Sequence, residues 1–168
     1  MTAPGVTGPA RRDRDLAGRA RNARPRDELG RPLPRSAGSD VPRVPDDLVI
    51  GGAEAAALGG RLLAEGQPFH AHEVFEAAWK SSSGPDRELW RGLAQIAVGI
   101  THARRGNARG AVALLRRGAG VVAAFAGVPG DVDAGFVAAE AAGIAQLIDQ
   151  DGLAALPEAR LLLKLSRG

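Results

Sequence analysis

Leu89, Leu93, Ile96 and Ile100 recur at intervals of four, three and four residues, with Trp90 and Ala97 beside them. That spacing gathers the side chains on one stripe of an α-helix, whereas a strand would scatter them over both faces. The same period returns in Ala111, Leu114, Leu115, Gly118, Val122 and Phe125, and again in Phe136, Val137, Ile144, Leu147 and Ile148. No segment alternates apolar and polar residues as a half-buried strand does. Breakers separate the stripes: Glu65-Gly66-Gln67, Ser81 to Gly84, Gly106-Asn107, and Gly127 to Gly130. Links this short join antiparallel neighbours, so the pattern predicts an all-α fold, a small antiparallel helical bundle of about five helices.

The first helix is expected to begin near Pro45-Asp46-Asp47, where either aspartate can cap free amides. Leu48, Ala55, Leu58, Leu62 and Leu63 supply its stripe, weakened by Gly51-Gly52 and Gly59-Gly60. Pro68 suits the first turn of the second helix, which fades at Ser81 to Gly84. The third runs from Pro85-Asp86 to about Arg105, with Gly92 and Gly99 placed to admit a close helical neighbour. The fourth follows Gly106-Asn107. Asp131 or Asp133 caps the fifth, and Asp151-Gly152 stops it. Pro157 to Leu165 reads either as a short helix or as an extended apolar strap.

Residues 1–45 form an irregular Arg/Pro-rich N-terminal arm ahead of a helical domain at 46–168. Seven of the eleven prolines lie in the arm, and such a segment buries too little apolar area to offset its ordering entropy. Residues 1–50 carry ten arginines against seven acids, and the remainder is neutral, so the net charge of +3 belongs to the arm. The arm reads as a solvated tail, as a strap anchored by Leu29 and Leu33, or as a nucleic-acid-binding segment. The last ranks lowest, because acids dilute the charge and no aromatic residue is there to stack on bases. The chain has no cysteine, which excludes disulfides, thiolate metal sites and a cysteine nucleophile. No apolar run is long enough to span a bilayer and Met1 to Ala10 lacks a signal-type apolar region. The expectation is a cytoplasmic protein without a membrane partner. A homo-oligomer is compatible with this reading.

One stretch carries chemistry. Phe69 to Lys80 holds His70, His72, Glu73, Glu76 and Trp79 in a segment that otherwise reads as a core helix. Histidine and carboxylate beside an apolar seam are costly to desolvate and need partners. His72 and Glu76, at i and i+4, can converge on one point. Two such residues plus a distant third commonly bind a divalent metal ion, and His102 is the natural third ligand if helices two and three pack antiparallel. Glu73, rotated about 100° from His72, suits the role of base or supporting carboxylate. His70 projects away from His72 and lies nearer Glu73. Gln95, seven residues before His102, could orient a water or a substrate carbonyl. A purely structural network is the competing reading: His72–Glu76 satisfying itself, Glu76–Lys80 as an ordinary ion pair, and Gln95 and His102 bridging helices. A metal-free ligand site is the third. The spacing lacks the second histidine of His-Glu-x-x-His, so a protease of that type is rejected. Phosphate loops and Gly-x-Ser-x-Gly elbows are absent.

The run His72-Glu73-Val74-Phe75-Glu76-Ala77-Ala78-Trp79 resembles the His-Glu-x-x-Glu-x-x-Trp signature of the DUF309 family. Leu89 to Ala97, then His102, Gly106-Asn107 and Gly110-Ala111, resemble the family's Gln-Gly-Leu-Ile-Gln-Leu-Ala, His and Gly-Asn-x-x-Gly-Ala elements, with Arg91-Gly92 where Gln-Gly is frequent. The similarity covers about residues 60–125. The stretch from Arg11 to Pro34 also looks like an arm found ahead of this domain in some members. The resemblance implies a small all-α bundle, and members are sometimes labelled predicted metal-dependent hydrolases. Its polar positions fall on His72, Glu73, Glu76, Gln95 and His102, with Trp79 beside them.

Two functions follow as expectations. In the first, His72, Glu76 and His102 hold one divalent ion that activates water for hydrolysis of a small-molecule ligand, with Glu73 as base. In the second, the chain is a non-enzymatic helical interaction module with a structural His/Glu network, although no 34-residue repeat supports it.

Overall fold

The computed structural model describes residues 25–34, 36–38, 44–45, 47–125, 127 and 131–167. Five α-helices follow one another: α1 (Gly52–Ala64), α2 (Pro68–Ser81), α3 (Pro85–Arg104), α4 (Ala108–Ala123) and α5 (Ala134–Asp151). Short 3-10 turns occupy Leu153–Ala155 and Glu158–Leu161. Among the described residues there is no strand, only an isolated bridge between Arg26 and Pro32. Each helix packs chiefly on its neighbours in the chain, α1 on α2 through to α4 on α5, as short links between amphipathic helices require.

The α3 stripe buries as its spacing predicts, whereas Leu114 and Phe125 of the α4 stripe and Phe136 and Leu147 of the α5 stripe are only partly buried. Leu89, Trp90, Leu93, Ile96, Ala97 and Ile100 of α3 are all inaccessible to solvent. Phe75 of α2 stacks on Trp90, with ring centroids 6.2 Å apart, and its ring tip fills the space left by Gly59 of α1. Burial of side chains this size contributes about 1.5–3 kcal/mol each. The α3–α4 seam is closer still. A Cβ on Gly92 would stand 2.7 Å from Val122, and one on Gly118 would stand 2.8 Å from the Gly92 carbonyl oxygen. These two glycines let the helices approach backbone to backbone.

The helix ends use local chemistry. Asn107 accepts a hydrogen bond from the Gly110 amide at 2.9 Å and caps α4. Of the two aspartates considered for α5, Asp133 caps, accepting from the Phe136 amide at 2.9 Å. Pro68 and Pro85 open α2 and α3 in the first turn, where a missing amide hydrogen costs nothing.

Three segments differ from or sharpen the sequence expectation. α1 begins at Gly52 and not near Pro45: the Leu48 amide turns back to the Pro45 carbonyl, and Gly51 is extended. Asp47 therefore lies ahead of the helix, and Asp46 is outside the described residues. The released segment inserts Ile50 into the core. Residues 157–165 resolve into a 3-10 turn followed by a strap in which Leu161, Leu163 and Leu165 are buried and Leu162 is 40% exposed. Leu165 rests on Gly60 of α1, and its carbonyl accepts from the Asp133 amide ahead of α5, so the strap links the first and last helices. Residues 25–34 of the arm form a tight hairpin, and most of the rest of the arm lies outside the described residues. Asp27 organises this hairpin, its carboxylate accepting from the Leu29 and Arg31 amides at 3.0 and 2.7 Å.

Candidate functional site on helix α2

At its outer edge, α2 presents two imidazole–carboxylate pairs. His70 Nδ1 lies 3.2 Å from Glu73 Oε2, and His72 Nε2 lies 3.5 Å from Glu76 Oε2, the second long for a hydrogen bond. The i,i+3 and i,i+4 spacings bring each pair together. Phe69 stands between the two, its ring 5.5 Å from that of His70 and 6.2 Å from that of His72. His70 is only 4% exposed. Glu76 also binds Lys80 at 2.7 Å, the ion pair expected from spacing.

The far nitrogens of both imidazoles are buried. Among the described residues, neither His70 Nε2 nor His72 Nδ1 has a hydrogen-bond partner. The same holds for Trp79 Nε1 and Gln95 Oε1. Burial lowers the His72 pKa from its ordinary value of 6.5, a shift opposed by the nearby Glu76 and Glu73 carboxylates and reinforced by Lys80. His72 is therefore neutral at pH 7. With Nε2 carrying its proton toward Glu76, the neutral ring leaves a lone pair on Nδ1. In the His70 tautomer whose Nδ1 donates to Glu73, the lone pair falls on Nε2.

The remaining expected residues occupy different settings. Trp79 is locked at the α2–α3 corner, with the Arg87 guanidinium 4.7 Å over its ring and Arg87 donating to the Trp79 carbonyl at 3.2 Å. His102 sits in the last turn of α3, where its Nδ1 accepts from the Asn107 side-chain amide at 2.9 Å. The Asn107 backbone amide also donates to the His102 carbonyl at 2.9 Å. His102 thus belongs to the network that closes one helix and opens the next. Of the helix bridging considered for Gln95 and His102, His102 joins the α3–α4 turn through Asn107, and Gln95 Oε1 has no partner among the described residues.

The ligand set His72, Glu76 and His102 can be tested directly against this geometry. Among the described residues, no group of three or more His, Asp or Glu side chains stands together as a metal ligand set. His72 and Glu76 are adjacent, but His102 is engaged at the α3–α4 turn. The residues present, in this arrangement, do not fit a three-ligand ion.

Of the readings of the arm, the strap anchored at Leu29 and Leu33 is the one that lays it over the domain; the sequence did not give the hairpin form of residues 25–34 or its seat on Phe69. The Arg26 guanidinium lies 5.5 Å from the Phe69 ring centroid. Gly30, with φ at +73°, presses its backbone onto the same ring, where any Cβ would collide at 2.2 Å. Arg105, at the end of α3, donates to the Leu29 carbonyl. The signal was present as Asp27-Glu28-Leu29-Gly30, a turn sequence with aspartate first and glycine last.

Among the described residues, no helix is long and apolar enough to cross a membrane. Residues 57–114 match the family model described as Domain of unknown function (DUF309). That span runs from α1 into α4 and contains every candidate site residue. No curated protein and no solved structure matches the chain. The match covers 58 of the 168 residues, and over that span the chain is similar to the DUF309 family.

Proposed function

We propose that the α2 face is the proton-transfer site of a small-molecule enzyme, with hydrolysis as its reaction. The observation that supports this reading is the pairing of each imidazole with a carboxylate on one side while its other nitrogen is buried and unpartnered. A structural network satisfies its buried polar atoms, because each one left unmade costs about 1–3 kcal/mol. An acting base needs the opposite arrangement: one nitrogen oriented by a carboxylate and the other free to take a proton.

This reading requires the α2 face to admit water to the buried His72 Nδ1, which accepts a proton from it, and the resulting hydroxide adds to an electrophilic carbon of the substrate. Glu76 holds Nε2–H and stabilises the imidazolium that forms. The proton then passes to the leaving group as its bond breaks, which restores the neutral ring. His70 with Glu73 is a second pair of the same build, able to orient the substrate or to supply the leaving-group proton. A divalent ion is the alternative form of the proposal, with His72 and Glu76 as two ligands and His102 released from Asn107 as the third.

The test is a hydrolytic screen of ester, amide and phosphoester substrates with wild-type, His72→Gln and His70→Gln chains, beside elemental analysis of each. Activity lost in His72→Gln without bound metal supports the proton-transfer form. One metal ion per chain, lost in His72→Gln and His102→Ala, replaces it with the metal form. Unchanged turnover in both histidine variants removes the proposal.

A further inference from the structure

Arg104 is a cation that the fold buries and leaves largely uncompensated. Its side chain is 15% exposed, and its guanidinium rests on the backbone of Gly66 in the turn between α1 and α2. A Cβ on Gly66 would stand 3.0 Å from Arg104 Nη2 and 3.4 Å from Nη1. The buried Nε has no hydrogen-bond partner among the described residues. The one carboxylate in reach among those residues, Glu158 of the second 3-10 turn, lies 3.6 Å from Nη2 and is 80% exposed. That separation is too long for a hydrogen bond, and so loose a pair does not compensate a guanidinium withdrawn from water. Capping α3 does not account for the residue either. Arg104 stands in the last turn of α3, but the Thr101, His102 and Ala103 carbonyls already accept from the Arg105, Asn107 and Gly106 amides.

We infer that Arg104 binds an oxyanion, the carboxylate or phosphate group of a small ligand, at the surface position that the Glu158 carboxylate marks. Glu158 Oε1 shows that an anionic oxygen reaches Nη2 from the solvent side. A guanidinium with free donors holds such a group through parallel hydrogen bonds, in a planar fork that an ammonium lacks. A second source of positive potential is α2. Gly66 lies two residues ahead of Pro68, where α2 begins, and that helix has neither a side-chain cap nor an acid in its first turn. The positive end of its dipole is therefore uncompensated beside the same turn. Glu158 can give way without unseating the strap, because Leu161, Leu163 and Leu165 hold that segment through their own burial. The inference uses neither imidazole–carboxylate pair and does not rest on the proton-transfer reading.

The test uses the full chain, with inorganic phosphate and acetate as probes at constant ionic strength. The Gly66 amide and Arg104 Nε–H signals in NMR report binding. Saturable shifts of both are expected in the wild type. Glu158→Gln removes the competing carboxylate and should bind about threefold more tightly. Arg104→Gln should lose the response of the Gly66 amide. Arg104→Lys keeps the charge and gives up the fork, and should weaken binding about tenfold. Arg91→Gln is the control for net charge: this exposed arginine pairs with Glu88 on the same helix, and its loss should leave affinity at the wild-type value. If Arg104→Gln fails to fold by circular dichroism, Arg104→Lys and Glu158→Gln carry the comparison. A response to phosphate, to acetate or to both supports the inference, and the tighter probe names the ligand's anionic group. Shifts that rise linearly without saturation, or an affinity unchanged in Arg104→Lys, overturn it. So does an affinity in Glu158→Gln no higher than that of the wild type, or a loss in Arg91→Gln equal to that in Arg104→Gln.

Discussion

The α3–α4 seam and the outer edge of α2 lie one helix apart and are built on opposite plans. In the seam, Gly92 and Gly118 let two backbones touch, and the fully buried Val122, Ile96 and Leu115 pack against Gly92, Gly118 and Gly99. At the edge of α2, His70 Nε2 and His72 Nδ1 are buried with no partner among the described residues, and a hairpin from elsewhere in the chain lies on the nearby Phe69 ring. The first region spends its residues on packing and holds no group that could act. The second accepts unmade hydrogen bonds, which natural cores avoid.

The contrast predicts large stability effects where the structure is packed. Phe75→Ala removes a fully buried ring that joins α1, α2 and α3 through Gly59 and Trp90. It is expected to cost about 3–5 kcal/mol, measured by urea denaturation. Gly118→Val drives a side chain against the Gly92 carbonyl and the Ile96 amide, neither of which can yield. A cost of about 1–3 kcal/mol is expected. If either variant keeps wild-type stability, the close packing attributed to this part of the molecule is wrong.

The α2 edge should respond in the opposite sense. His72→Leu replaces an imidazole whose Nδ1 is buried without a partner, so stability should stay within about 0.5 kcal/mol or rise. A loss of about 1–3 kcal/mol would show that His72 is a satisfied structural residue and would erase the contrast. The pH dependence follows from the same burial. Because the folded pKa of His72 is lowered from 6.5, the unfolded chain binds more protons below that value. The stability contribution is therefore fully present above pH 6.5 and is lost as pH falls toward the folded pKa. Denaturation midpoints of wild type and His72→Leu should run parallel above pH 7 and diverge below pH 6.5, with only the wild type falling through this term.

The packed half of the molecule was the more legible from sequence. The α3 stripe, the close approach at Gly92 and Gly99, and a cap for α5 at one of two aspartates are local or periodic features and appear where the sequence places them, while Asn107, read only as a turn residue, also caps α4. The start of α1 was not readable from caps alone, since a turn from Pro45 competes with Asp47 and the Gly51-Gly52 pair weakens any helix that would cross it. At the site, helical geometry was enough to pair His72 with Glu76 and to place His70 near Glu73. It was not enough for His102. Five residues away, Asn107 offered a partner in the same turn, and a local hydrogen bond is satisfied at lower entropic cost than a ligand set assembled from two helices. The hairpin over Phe69 depends on a long-range contact with Arg105, which no periodicity reveals.

The smallest expected effect tests the electrostatics of the α2 edge. Lys80 is more than half exposed and pairs with Glu76 at 2.7 Å. Pairs of this kind contribute about 0–1 kcal/mol, so Lys80→Ala should leave the denaturation midpoint almost unchanged. Its effect should appear instead on His72. Lys80 works with burial to hold the His72 pKa down, while Glu76 works against both. Removing the ammonium leaves the Glu76 carboxylate undivided in its attraction for the imidazolium, so the His72 titration midpoint should move up. A titration followed through the imidazole ring protons reads this directly. A midpoint that stays in place, or moves down, would mean that Glu76 does not govern the protonation of His72, and the two side chains could then no longer be treated as one acting pair.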